Sequence, residues 1–319
     1  MKQSKVQNRS TKDDKTIRDI PMACADETHA VLFMEEKRWG EFPSCPSCGS
    51  VDVYQMKDSK TGERQANFRW RCNDCKDQYT VRKGTVFEDS RIPLRHWCFA
   101  FWRAATSKKG VSALEIHRQT GVSYKSCLFM LHRIRFAMSD SAPDPLQGTV
   151  ECDETYVGGK PRYKGQSKRG RGTNKTPVFA MVERGGSVKT KPVANVTAKT
   201  LKSAIRENVE KSSRIITDEN PSYRGIGKEY AGGHKSVCHS AKEYVRGEIH
   251  SNTIEGFFST VKRGLNGIYH SVSKEHLGSY LSEFEFRYNH RDLEDGERVV
   301  AAIKGALNKR LTYQEHLSA

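Results

Sequence analysis

Gly148-Thr-Val-Glu-Cys-Asp153-Glu-Thr-Tyr-Val-Gly-Gly159 is the stretch on which the fold turns. Its first half is an apolar-alternating run that ends on an aspartate, the pattern of a strand that delivers a carboxylate at its end. A second run, Arg214-Ile-Ile-Thr-Asp218, repeats that plan. A third acidic landmark, Glu255, lies in Asn252-Thr-Ile-Glu255-Gly-Phe-Phe-Ser-Thr-Val-Lys262-Arg263, which reads as a helix. Two carboxylates at strand ends and one on a later helix can converge on a pair of divalent cations. Such a pair, held ~3.5–4 Å apart, clamps the attacking and leaving oxygens of a phosphodiester. A single acidic residue at a strand end is usually a loop residue. Three in these settings, with Lys262 seven residues after Glu255, are much less often accidental. Asn252, one turn before Glu255, shares its helix face.

Working outward, strands are expected at 148–156, 177–184, 188–197 and 213–218. A helix fills 198–211, capped by Thr197 or Thr200. A short apolar piece lies near Ser236-Val-Cys-His239, and helices follow at about 251–264 and 274–290. The order β-β-β-α-β-α-β-α suits a mixed sheet flanked by helices. After Asp153 the run 160–175 carries only basic charges, among them Lys168, Arg169 and Arg171. Beside a metal ligand, that run is either a grip on a phosphate backbone or a solvated loop, and both hold if it orders on its partner.

Upstream, Cys45-Pro-Ser-Cys48 and Cys72-Asn-Asp-Cys75 are two Cys-x-x-Cys knuckles. Together they offer four thiolates to one tetrahedral ion and leave no open position, so one structural Zn²⁺ is expected. Gly49 permits the tight turn after the first pair. A redox pair is the weaker reading, since no thioredoxin-like βαβ surrounds either motif. Cys24, Cys98, Cys127, Cys152 and Cys238 read as small buried hydrophobes.

Residues 93–138 are helical in pattern. Within them Leu114 and Ile116 open one helix, Gly121 stops it, and Ser123 caps a second with Cys127, Leu128, Leu131 and Ile134 on its apolar face. Short helix, glycine turn and capped basic helix is the helix-turn-helix plan, with Lys125, Arg133 and Arg135 as candidate DNA contacts. The plain alternative is a helical hairpin in a core.

The 319 residues carry 54 Lys and Arg against 38 Asp and Glu, a net charge of +16. That surplus favours a polyanionic partner. No apolar run reaches the ~20 residues of a membrane span. The polar first twenty residues lack a signal-peptide core, and a cytoplasmic, reduced setting is expected, with nucleoid association when the chain is on DNA. The expected segments are a flexible basic tail at 1–21, a zinc-ribbon domain at 22–90 and a helical helix-turn-helix DNA-binding region at 91–140. A linker at 141–147, a catalytic domain at 148–295 and a C-terminal helical tail at 296–319 follow.

The chain resembles bacterial insertion-sequence transposases of the DDE type, the group with an N-terminal zinc ribbon and a ribonuclease H-like catalytic domain. The likeness rests on Cys-Pro-x-Cys-Gly at 45–49, Gly84-Thr-Val-Phe, Asp153-Glu-Thr-Tyr-Val-Gly-Gly and Thr217-Asp218-Glu. It rests also on His250-Ser-Asn-Thr-Ile-Glu255-Gly-Phe-Phe-Ser-x-x-Lys-Arg and Glu283-Phe-Glu-Phe-Arg-Tyr-Asn289. The resemblance implies a multidomain α/β fold: four-cysteine zinc ribbon, helix-turn-helix segment, and ribonuclease H-like mixed sheet flanked by helices. It implies two Mg²⁺ (or Mn²⁺) ions on Asp153, Asp218 and either Glu255 or Asn252. Glu255 is favoured because Lys262, itself expected at the catalytic site, and Arg263 follow it toward DNA. Water and then the freed 3′-OH would attack phosphodiesters in line, at element terminal inverted repeats and in target DNA. A homo-oligomer on double-stranded DNA is expected. The rival readings are a non-catalytic zinc-ribbon and helix-turn-helix regulator, and another ribonuclease H-like nuclease.

Overall fold

The structure, a computed structural model, describes residues 15–140, 142, 144–158, 175–237, 245–246 and 248–318. The chain divides into two compact units. One is built from residues up to Ser139 together with Arg291 onward, the other from Asp140–His290. Lys168, Arg169 and Arg171, residues 1–14 of the expected tail, Cys238 and His239 lie outside the described residues.

In the first unit, α1 (Lys15–Ala25) and α2 (Glu27–Trp39) stand where the sequence suggested a tail and the start of the zinc-ribbon domain. Residues 15–21 are helical, and Ile20 and Ala23 are buried. Asp26 separates the helices: its extended backbone ends one, and its carboxylate accepts the His29 N–H at 2.9 Å to start the next. Strands β1 (Val53–Gln55), β2 (Trp70–Cys72) and β3 (Gln78–Tyr79) form a small antiparallel sheet in that order. A sheet this short cannot bury a core alone. Trp39 of α2 stands edge-on to Trp70 and Tyr79, and the buried Glu35 accepts from Trp70 Nε1 at 2.7 Å and Arg64 Nη1 at 2.9 Å.

Three helices follow, α3 (Leu94–Thr106), α4 (Ala113–Thr120) and α5 (Tyr124–Ala137). Pro93 offers α3 no side-chain cap, and Glu27 of α2 takes the Leu94 and Arg95 amides instead. Ser112 caps α4 and Ser123 caps α5, with Gly121 between them at φ +72°. A left-handed backbone there is what lets the second helix begin with only three residues between it and the first.

The second unit is a five-stranded mixed sheet. Its strands are β4 (Thr149–Val157), β5 (Thr176–Glu183), β6 (Val188–Pro192), β7 (Arg214–Thr217) and β8 (His234–Ser236), in the order β6-β5-β4-β7-β8. β4 runs antiparallel to β5 and parallel to β7. Helix α6 (Ala198–Asn208), capped by Thr197, joins β6 to β7. Between β7 and β8 stand two 3₁₀ turns, at 221–223 and 226–229, rather than the expected helix. A two-stranded ribbon, β9 (Val245–Arg246) and β10 (Ile249–His250), precedes α7 (Asn252–Gly264) and α8 (Leu277–Asn289).

β5 is buried on both faces, so its apolar run is continuous rather than alternating. Val150, Cys152, Phe179 and Met181 pack with Leu201 and Ile205 of α6. Val178, Ala180 and Val182 pack with Ile254, Phe257 and Val261 of α7 and Leu281 of α8. α8 also covers the outer edge of β6. Asn289 accepts the Val188 N–H at 2.7 Å and donates to the Val188 carbonyl at 3.2 Å, and Glu285 accepts the Thr190 N–H at 2.5 Å.

The chain then returns to the first unit with α9 (Asp295–Lys304) and α10 (Tyr313–Ser318). The stretch expected as a tail is therefore part of that unit. Gly84-Thr-Val-Phe receives it: Val86 N–H donates to Ala306 O, and Asn308 N–H to Gly84 O. No helix among the described residues is long and apolar enough to cross a membrane.

Candidate functional site

The cysteine site is assembled locally. The hairpin β1–β2 brings the two knuckles together, and the four sulfurs lie within 4.8 Å of one another. Cys45 Sγ is 3.6 Å from Cys75 Sγ, and Cys48 Sγ is 3.6 Å from Cys72 Sγ. A tetrahedral ion with ~2.3 Å bonds to sulfur needs sulfurs about 3.8 Å apart, so the set fits zinc. Each knuckle turns through a left-handed residue directly after its second cysteine, Gly49 at φ +77° and Lys76 at φ +62°. Four thiolates, with no further donor in the cluster among the described residues, would leave a bound zinc no open position, which suits a structural role.

The acidic site is assembled across the fold. On β4, residues 151, 153 and 155 alternate with the α6-facing core residues Val150 and Cys152, so they face α7. Asp153 is thereby delivered from the central strand. Asp218 follows β7, the strand beside β4, and its carboxylate accepts the Asn220 N–H at 3.0 Å in a tight turn. Glu255 lies in the first turn of α7, where its carboxylate accepts from Ser251 Oγ at 2.9 Å. Asp153, Glu255, Lys262, Arg263 and Asn266 line one groove of about 700 Å³. Asn252, the first residue of α7, is exposed, and neither it nor Asp218 is among the groove residues.

Burial, and then the charge of Asp218, push the Asp153 carboxyl up to about 7; Glu154 and Glu255 act in the same direction. An acid raised by its acidic neighbours is one that a cation would return to the carboxylate form. The donors are all hard oxygens, which suits Mg²⁺ or Mn²⁺ rather than zinc. The carboxylates stand further apart than the cysteine sulfurs, forming no such tight group among the described residues. Glu154 also borders the groove, but its carboxylate accepts from Tyr223 OH at 2.6 Å and Asn220 Nδ2 at 2.5 Å. It thereby ties the Asp218 turn to β4.

Lys262 and Arg263 are exposed on the groove, beside a π-helical turn, Leu265–Tyr269, that extends α7. Lys125 is exposed near the start of α5, its Nζ 5.2 Å from the Tyr313 ring. Arg133 and Arg135 differ from expectation, because both are buried. Arg133 spends its guanidinium on Leu311 O at 2.9 Å and Glu88 O at 3.0 Å, so it fastens the unit rather than facing a ligand. His234 is half-buried beside Thr217 Oγ1, and that burial lowers its pKa.

Residues 145–289 match the ISXO2-like transposase domain, and residues 25–78 match the transposase zinc-ribbon domain. A relative in Halobacterium salinarum, described as an uncharacterized protein in transposable element ISH50, is 31% identical over 275 residues. That alignment covers 82% of this chain and 90% of the relative. The chain belongs to the ISXO2-like transposase family. An uncharacterized transposase-like protein of Haemophilus influenzae is 31% identical over 122 residues, 38% of this transposase and 96% of the relative. A Mos1 transposase paired-end complex with left transposon end aligns at 16% identity and a TM-score of 0.27, over 60% of this chain and 74% of that one.

Sequence reading of the transposase passed over Glu151, Arg184, Ser251 and Asn266. Only Glu151 carried a signal, as an acidic residue inside a strand that sits mid-sheet.

Proposed function

We propose that this transposase binds the terminal inverted repeats of an insertion sequence as double-stranded DNA, cleaves phosphodiesters there, and joins the 3′-OH ends to target DNA. The observation that carries the reading is the groove that holds Asp153 and Glu255 together with Lys262, Arg263 and Asn266. Asp153, Asp218 and Glu255 would hold a pair of Mg²⁺ or Mn²⁺ ions, which stabilise charge on the attacking and leaving oxygens. Lys262 and Arg263 grip phosphates beside the scissile bond, and Asn266 offers an amide to the same strand. Lys125, at the start of the second helix of a helix-turn-helix, is a further DNA contact. Joining two element ends needs two such sites, so a homo-oligomer on DNA is part of the proposal.

The test uses the full chain, Mg²⁺ or Mn²⁺, and oligonucleotides carrying the inverted repeats that bracket its gene. Cleavage at the repeat followed by strand transfer supports the reading. Binding alone would favour a regulator, and cutting without joining would favour another ribonuclease H-like nuclease.

A further inference from the structure

Glu151 lies two residues before Asp153 on the same face of β4 and is fully buried. A buried carboxylate is costly unless its oxygens are matched. Arg184 Nε donates to Oε1 at 2.6 Å, Thr253 Oγ1 donates to Oε1 at 3.0 Å, and the Ile254 N–H donates to Oε2 at 3.0 Å. His250 Nδ1 stands 3.4 Å from Oε1. Thr253 and Ile254 belong to the first turn of α7, whose leading amides have no partner within the helix.

The residue in the capping position, Ser251, makes no cap bond. Its hydroxyl is turned to Glu255 Oε1 instead. Arg184 completes the tie, donating through Nη1 to Glu248 O at 2.6 Å and through Nη2 to His250 O at 2.7 Å, so the backbone entering α7 is held as well. An anion at a helix N-terminus also gains from the aligned peptide dipoles.

We propose that Glu151 is a positioning residue that caps α7 from the sheet, sets Glu255 against Asp153, and frees the Ser251 hydroxyl to hold the Glu255 carboxylate. The inference rests on the reading of Asp153 and Glu255 as cation ligands. Glu151→Gln keeps the shape but removes the charge. It also turns an amide N–H₂ toward groups that are themselves donors, Arg184 Nε and the α7 amides. The start of the helix then shifts and the two ligands lose register. Ser251→Ala removes the direct hold on Glu255 and leaves the cap intact.

The experiment titrates Mn²⁺ into the full-length wild-type, Glu151→Gln, Ser251→Ala and Asp153→Ala proteins by electron paramagnetic resonance, with turnover and DNA affinity measured beside it. The expected result for Glu151→Gln is weaker Mn²⁺ binding and slower turnover, each by about 10-fold or more, with DNA affinity within about twofold. Ser251→Ala should move both readouts in the same direction by less. A folded Glu151→Gln protein with wild-type Mn²⁺ binding and turnover overturns the positioning role. Should Glu151→Gln fail to fold, Ser251→Ala decides: an unchanged titration and turnover overturns it. Asp153→Ala titrating like wild type would instead strike the metal-ligand reading itself.

Discussion

The two metal-binding candidates of this chain are built on opposite plans. The cysteine site draws every donor from Cys45–Cys75, closes on itself, and supplies the core of a sheet too small to have one. The acidic site draws its donors from the central strand, from the residue after its neighbour, and from a helix that begins at Asn252, and it opens onto a groove. A closed, local site makes its own fold. An open, long-range site borrows a fold that must already stand. Removing a ligand should therefore break structure in the first case and chemistry in the second.

The largest effect expected is on chemistry. Asp153→Ala or Asp218→Ala should lower cleavage and joining by about a thousandfold or more, as groups acting directly on the reacting atoms do. The melting temperature should not fall, and DNA binding should hold. Gel assays beside thermal melts check this, and a variant that loses its fold instead would erase the contrast. Cys72→Ser should do the reverse: zinc content falls, and the ribbon unfolds because its metal supplies several kcal/mol of folding energy. Limited proteolysis with metal analysis reads both, and the sheet of the second unit should stay protected.

A third comparison sharpens the acidic site from within. Glu255→Gln should cut Mg²⁺-supported turnover by about a hundredfold, with partial rescue by Mn²⁺, which tolerates an altered oxygen set better. Asn252→Ala, outside the groove, should cost about tenfold at most, the lower end of what positioning groups cost. Steady-state rates in the two metals decide it, and the reverse order would move the third ligand to Asn252.

The edge of the sheet gives a smaller, pH-dependent effect. Burial raises the Glu285 carboxyl from 4.5 to about 7. The folded state then holds a proton that the unfolded chain has released, so stability falls as pH rises from about 4.5 to about 7, by roughly 3 kcal/mol at most. Asp153 contributes with the same sign. Glu285→Gln, still able to accept from Thr190, should remove its share: little change in melting at pH 5, a higher melting temperature at pH 8. The smallest effect returns to the knuckles. Lys76 holds a left-handed backbone that Gly49 takes without strain, so Lys76→Gly should stabilise the ribbon by up to about 1 kcal/mol in denaturant melts.

The same contrast explains what could be read from the residues. The zinc ribbon was legible from spacing alone, because its partners are near in sequence. The strands carrying Asp153 and preceding Asp218 were legible because each is a short apolar run that ends on an aspartate, although both faces of each are buried. The burial of Arg133 was not legible, since Leu311 and Glu88, which receive it, are brought in by the returning C-terminal segment. Helix α1 was not legible, because the start of the chain is polar enough to read as a tail and Ile20 and Ala23 show their burial only once the fold is known. Glu151 hid inside a strand pattern, where a charge looks like noise until both faces of the sheet are known to be covered.

Asn289 and Glu285 together act as a substitute strand, filling the outward backbone positions of Val188 and Thr190. An unfilled edge would invite any neighbouring chain to add itself to the sheet. Many copies gathered on one template would meet that hazard at high local concentration. The run Glu283–Asn289, which looks like a family signature, thus also serves as a solubility safeguard, and its constraint is on what the protein must not join.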